Sequence, residues 1–157
     1  MKINLERHTA LVTGASGELG RVIAKTLASC GADVAIHYLS GRRRAETVAD
    51  QVTGFGRKAV LVQGDVADPD SVARMKDEAT QAIGPIDIVI NNAVSQYEWK
   101  TVLEQPAEDY LDQFQTCVMQ NVLMAKAFVP EMITRGWGRV IAINTECAMQ
   151  NLPNQSA

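Results

Sequence analysis

Residues 13–20 read TGASGELG, with glycines at 14, 17 and 20 and a carboxylate, Glu18, among them. Glycines let a backbone turn tightly and approach a ligand with no side chain between. A short apolar run at 9–13 precedes this loop, and a helix-patterned stretch follows it. Strand, glycine loop and helix in immediate succession form a phosphate site, because the helix opens with unpaired N–H groups and the positive end of its dipole. The P-loop version of such a site is excluded, since no Lys-Ser/Thr pair follows Gly20. Glu18 falls in the first helical turn, where the dipole favours a carboxylate. It is expected to face solvent rather than the phosphates.

The elements that must hold this loop alternate along the chain. Strands are expected at 9–13, 33–38, 58–63, 86–91 and 139–144. Between them, helices are expected at 21–30, 42–52, 68–83 and 107–135. In the first helix Val22, Ile23 and Leu27 share a face, and Gly31 suits the C-terminal cap. Pro69 suits a first helical turn, where its missing N–H costs nothing. On the last helix, the row Leu111, Phe114, Val118 and Val122 reads as a core face. Alternation of this kind implies right-handed crossovers and a doubly wound parallel α/β sheet. A single domain over 1–157 is expected, with strand order 3-2-1-4-5.

Composition narrows the function classes. With 46% hydrophobic and 21% charged residues, the chain is ordinary for a soluble globular protein. A net charge of −3, with Arg42, Arg43 and Arg44 as the basic cluster, argues against a nucleic-acid surface. Cys30, Cys117 and Cys147 are odd in number and in no metal-ligand spacing, which points to free thiols in a reducing compartment. Neither a signal core nor a membrane span is visible, so a cytoplasmic location is expected and no metal is called for.

Further residues line up with the loop: Gly64-Asp65-Val66 after the third strand, Asn91-Asn92-Ala93 ending the fourth, and Gly136-Trp137-Gly138-Arg139 leading into the fifth. Spaced in this way, they make the chain resemble the compact single-domain branch of the short-chain dehydrogenase/reductase family, whose fold is Rossmann-like. The resemblance runs over essentially the whole chain but matches only the family's N-terminal portion. It implies a dinucleotide bound by the loop residues Gly14, Ser16, Gly17, Glu18, Leu19 and Gly20, and by Asn92 and Ala93. It also implies that Asp65 holds the adenine amine, unless it is only a turn or cap residue, and that Val66 packs near the ring. Val94 stands where the family's NNAG motif has its last glycine.

NAD-specific relatives carry an acidic residue at the end of the second strand. This chain has His37-Tyr38-Leu39-Ser40 there, followed by Gly41 and three arginines. Ser40 with Arg42 or Arg43 could bind a 2′-phosphate, so NADP(H) is favoured over NAD; the arginines could equally be a solvated helix start.

By the same resemblance, the chemistry is hydride transfer between nicotinamide and a small-molecule carbonyl or alcohol. A Tyr acts as acid/base beside a Lys, with Ser and Asn in support. Thr145 falls in the Ser slot, or simply caps the strand. Counting back without gaps from Pro130 puts Cys117 in the Asn slot; Asn121 fits only with a four-residue gap. The Tyr would fall at 158, one past Ala157, and none of Tyr38, Tyr97 and Tyr110 lies in a Tyr-x-x-x-Lys arrangement. The chain is therefore expected to be the cofactor-binding portion of a longer NADP(H) oxidoreductase, inactive by itself and homo-oligomeric when complete. A non-catalytic dinucleotide-binding or regulatory protein is the alternative. The reading of Glu18 has a direct test: Glu18→Gly should change NADP(H) affinity by less than about tenfold in a binding titration.

Overall fold

The computed structural model describes residues 3–144. Five strands, β1 (Thr9–Val12), β2 (Asp33–Tyr38), β3 (Ala59–Gln63), β4 (Ile88–Asn91) and β5 (Arg139–Ala142), form one sheet in the order β3-β2-β1-β4-β5. Every pairing is parallel, and Leu11 of β1 lies beside Ala35 of β2 and Val89 of β4. The expected doubly wound α/β sheet is thus present. β1 and β4 are buried along their whole length, as strands covered on both faces must be.

Strand side chains alternate between two cores. Ala10, Val12, Val34, Ile36, Ile88 and Ile90 point to one face, against helices α1 (Glu18–Ser29) and α2 (Arg42–Thr53). Leu11, Ala35, Val62 and Val89 point to the other, against α3 (Pro69–Ile83) and α5 (Gln120–Arg135). Phe128 of α5 is the largest fully buried side chain, contributing roughly 2–3 kcal/mol by burial.

The buried face of α1 differs from the one its apolar residues suggest. Gly20, Ala24 and Ala28 face the sheet, whereas Val22 is half exposed and Ile23 and Leu27 pack at the margin. Small residues at i, i+4 and i+8 let the helix lie close to β1, and closeness outweighs side-chain size. Gly31 follows the C-cap with φ +104°, as a helix-terminating glycine should.

The stretch expected as one helix is three pieces: α4 (Ala107–Phe114), a π turn (Gln115–Met119) and α5. Its buried row is Thr116, Gln120, Met124, Phe128 and Met132. Leu111, Phe114, Val118 and Val122, expected to be core, are 41–65% exposed. The reason is polar: Thr116 Oγ1 donates to Asp112 O (2.9 Å) and Gln120 Nε2 to Thr116 O (2.6 Å), so the wide turn keeps both polar residues on the sheet side. β5 forms the other edge of the sheet, and Val140, Ile141 and Ile143 are 40–45% exposed.

At the amino ends of the strands, Asp87 ties β1 to the end of α5. Its Oδ2 accepts from Thr9 N (3.1 Å), and its Oδ1 accepts from Arg135 Nη2 (3.0 Å). At the start of α3, Asp68 caps the helix by accepting from Asp70 N (3.3 Å) and Ser71 N (3.0 Å). Asp68→Ala should lower stability by about 1 kcal/mol in urea denaturation.

Candidate functional site

The glycine loop sits at the carboxyl edge of the sheet, between β1 and α1. Gly14 has φ +62°, and a Cβ there would meet Ala93 Cα at 3.0 Å, so both conformation and space favour glycine. Gly20 is more constrained: a Cβ would come within 2.3 Å of Gly14 O and 2.8 Å of Asn92 Nδ2. Gly17 is the N-cap of α1 and provides no side-chain cap. The amides of Glu18, Leu19 and Gly20, which have no acceptor within the helix, therefore open towards the loop. Ser16 is partly buried, and Leu19 is half exposed beside it. Glu18 points to solvent as expected, its carboxylate 88% exposed and paired with Arg21.

The floor of the loop is a closed polar net centred on Thr13, which is fully buried. Its hydroxyl donates to Gln120 Oε1 (2.7 Å) and accepts from Asn92 N (2.8 Å) and Ala93 N (2.9 Å). Asn92 Nδ2 donates back to Thr13 O (2.9 Å), and Gln120 Nε2 to Ala93 O (2.9 Å). Gly14, Gly20, Asn92 and Ala93 are thus brought together. Val94, next in the chain, is 48% exposed. Among the described residues Arg7 is the one non-glycine with positive φ, so Val94 is unstrained where the family motif has glycine. The loop after Ala93 is tied to α4, with Gln113 Nε2 donating to Ser95 O (2.8 Å).

On the other side, β2 and β3 end beside the loop. His37 of β2 accepts at Nδ1 from Gly14 N (2.9 Å), and its Nε2 donates to Gly64 O (3.0 Å). Burial pushes its pKa down, opposed by the Gly64 bond and the Asp65 charge. Asp65 is exposed; one carboxylate oxygen accepts from Ala67 N (2.9 Å), a turn role, and the other makes no hydrogen bond among the described residues. Val66 is only 5% exposed and packs into the α3-side core, so its side chain belongs to that core first. Ser40 is exposed at the end of β2. Arg42 is turned onto Glu46 (2.9 Å), and that hydrogen bond is the main cause that raises its pKa. The guanidinium of Arg44 lies 3.0 Å from the place of a Gly41 Cβ, beside the Ser40–Gly41 turn.

Of the residues aligned with the reacting groups, Cys117 lies in the π turn with its thiol exposed. Its carbonyl accepts from Asn121 Nδ2 (2.7 Å), and Asn121 Oδ1 accepts from Asn91 Nδ2 (2.7 Å). Asn121, not Cys117, is therefore the side chain that joins this helix to the end of β4. Thr145 and Cys147 lie outside the described residues. Among the described residues, no cluster of metal-ligating side chains occurs and no helix is long and apolar enough to cross a membrane.

Thr13, Gln120 and His37 were not among the expected site residues. Each had a faint signal: a Thr between an apolar strand and Gly14, a Gln continuing the i+4 row to Phe128, and a lone His in the apolar run DVAIHY.

The sequence profile of the short chain dehydrogenase family matches residues 8–157. A short-chain type dehydrogenase/reductase of Picea abies is 34% identical over 96% of this chain and 58% of its own length. An L-rhamnose 1-dehydrogenase (NAD(P)(+)) of Sphingomonas is 31% identical, over 92% of this chain and 57% of its own length. A crystal structure of a short-chain type dehydrogenase/reductase from Mycobacterium marinum superposes with TM-score 0.89 at 32% identity, covering 98% of this chain and 62% of that one. A 7α-hydroxysteroid dehydrogenase complexed with NADH and 7-oxo glycochenodeoxycholic acid gives TM-score 0.89 at 25% identity, covering 98% and 59%. The chain spans somewhat less than three fifths of the length of the curated relatives it matches.

Removing the Thr13 hydroxyl should leave Gln120 Oε1 and the amides of Asn92 and Ala93 unpaired. Thr13→Val is expected to destabilise the fold by about 3 kcal/mol, and Thr13→Ser by less than about 1 kcal/mol, in chemical denaturation.

Proposed function

The chain belongs to the short-chain dehydrogenase family, and on that premise we propose that it is the dinucleotide-holding portion of an NADP(H)-dependent oxidoreductase acting on a small carbonyl or alcohol. The observation that carries this reading is the tight glycine turn, packed so closely on Asn92 and Ala93 that a Cβ at Gly14 or Gly20 would clash, leading into a helix start that no side chain caps. Such a start offers backbone N–H groups and a dipole to a pyrophosphate. The free oxygen of Asp65 suits an adenine amine, and Asn92 and Ala93, fixed by Thr13, border the nicotinamide end. When bound, the nicotinamide supplies or accepts a hydride; what these residues do is hold it and fix the loop around it.

NADP(H) is the preferred form. The end of β2 carries no carboxylate to repel a 2′-phosphate, and Ser40 lies beside three arginines. Because Arg42 is engaged by Glu46, Arg43 and Arg44 are the better phosphate partners. A regulatory role without chemistry is less favoured, since the relatives carry dehydrogenase and reductase names. We place the protein in the cytoplasm as one domain over 1–157. Its exposed row from Leu111 to Val122 fits self-association in the whole protein.

Calorimetric titration of the chain with NADPH and NADH tests this. NADPH should bind at least about fivefold more tightly, and Arg44→Ala should remove most of that preference while leaving NADH affinity unchanged. Equal affinities would overturn the NADP assignment, and binding of neither would overturn the dinucleotide site.

A further inference from the structure

One buried group is not used by the reading above. His37 lies in β2 with only 1% of its surface exposed, its ring between the phosphate loop and the end of β3. Its two ring contacts fix its chemistry. Gly14 N–H can only donate and Gly64 O can only accept, so Nδ1 must be bare and Nε2 must carry the proton. The main chain of His37 adds a third tie, its carbonyl accepting from Ala15 N (2.9 Å).

Resting on the reading of the Gly14 loop as the pyrophosphate site, we propose that His37 is a positioning residue for the dinucleotide. Its neutral ring locks the phosphate loop to the Gly64–Asp65 turn, and protonation of the ring releases that lock.

The geometry gives both halves. Gly14 and Asp65 belong to different crossovers, and the imidazole spans them with one acceptor and one donor. A second ring proton would set Nδ1–H against Gly14 N–H across 2.9 Å, donor against donor, and the loop would have to move. The charged group that acts on the ring is Asp65, in the turn after β3; burial lowers the pKa more than Asp65 and Gly64 raise it. The sign follows. With a folded pKa below 6.5, His37 leaves the native state at full stability above pH 6.5 and weakens it as pH falls below that value. An imidazolium behind the loop would also attract phosphate. The lost amide bond acts at contact distance on the loop itself, so affinity is expected to fall.

Two measurements on the 157-residue chain decide it. In the 15N-labelled wild type, ring shifts should report the Nε2–H tautomer at pH 7.5, and the Gly14 amide should titrate with the ring at a midpoint below 6.5. An Nδ1–H ring, or a Gly14 amide indifferent to the titration, would overturn the proposal without any variant having to fold. Separately, NADPH is titrated from pH 7.5 to 5.5 into wild type, His37→Asn and His37→Gln. Asn keeps an acceptor close to Gly14; Gln carries its amide past it towards Gly64. Wild type should weaken as the pH falls, by less than about tenfold at pH 5.5 because the ring titrates below 6.5, Asn should stay within about threefold of wild type at pH 7.5 and lose the pH dependence, and Gln should bind about tenfold more weakly at equal thermal stability. Tight wild-type binding with no difference between Asn and Gln would overturn the role of His37 and leave the dinucleotide site intact. No wild-type binding would instead overturn the dinucleotide site and the positioning role with it, while the Gly14 titration still shows whether the histidine governs the loop.

Discussion

A hydroxyl group has one proton and two lone pairs, and Thr13 uses all three in a fully buried place. The proton goes to Gln120 of α5, and the lone pairs take the amides of Asn92 and Ala93 after β4. This one atom joins the end of β1, the end of β4 and the helix behind them. An unpaired group at such depth is costly, so the three elements can settle only where all its bonds are made. The π turn follows from the same demand, because it keeps Thr116 and Gln120 on the side where the net lies.

The glycine loop rests on this net from above. Asn92 is held by Thr13, and its side-chain amide occupies the space that a Cβ on Gly20 would need. Gly20 in turn begins the small-residue row with which α1 lies against the sheet. The close approach of the helix and the openness of its first turn are two results of one missing side chain. The loop's backbone cannot retreat, since Asn92 and Ala93 at the end of the sheet stand directly behind it.

Much of the fold was legible because its signals are local. Apolar runs of strand length, Pro69 after a capping Asp68, and Gly31 after a helix each declare an element without knowledge of the rest. Alternation of strands and helices then leaves few topologies, and β3-β2-β1-β4-β5 is one of them. The glycine loop was legible for the same reason. The errors came where packing partners lie far apart in sequence. Val22, Ile23 and Leu27 share an apolar face of α1, but the residues buried against the sheet are Gly20, Ala24 and Ala28. Leu111 and Phe114 look like core, but Thr116 and Gln120 have buried partners that a polarity pattern does not reveal. The bond from Asn91 of β4 to Asn121 is likewise invisible in the sequence.

The Thr13–Gln120 bond spans 107 positions of the chain. In time rather than in space, the loop that lies nearest the N-terminus is among the last parts to be finished. β1 is the central strand and leaves synthesis first, yet its neighbour β4 and its anchor on α5 emerge only after most of the described chain. Contacts of such long range close slowly. A nascent chain with β1 to β3 already made therefore carries a glycine loop with the right residues and no floor beneath it. That floor closes only with the arrival of a single glutamine, Gln120.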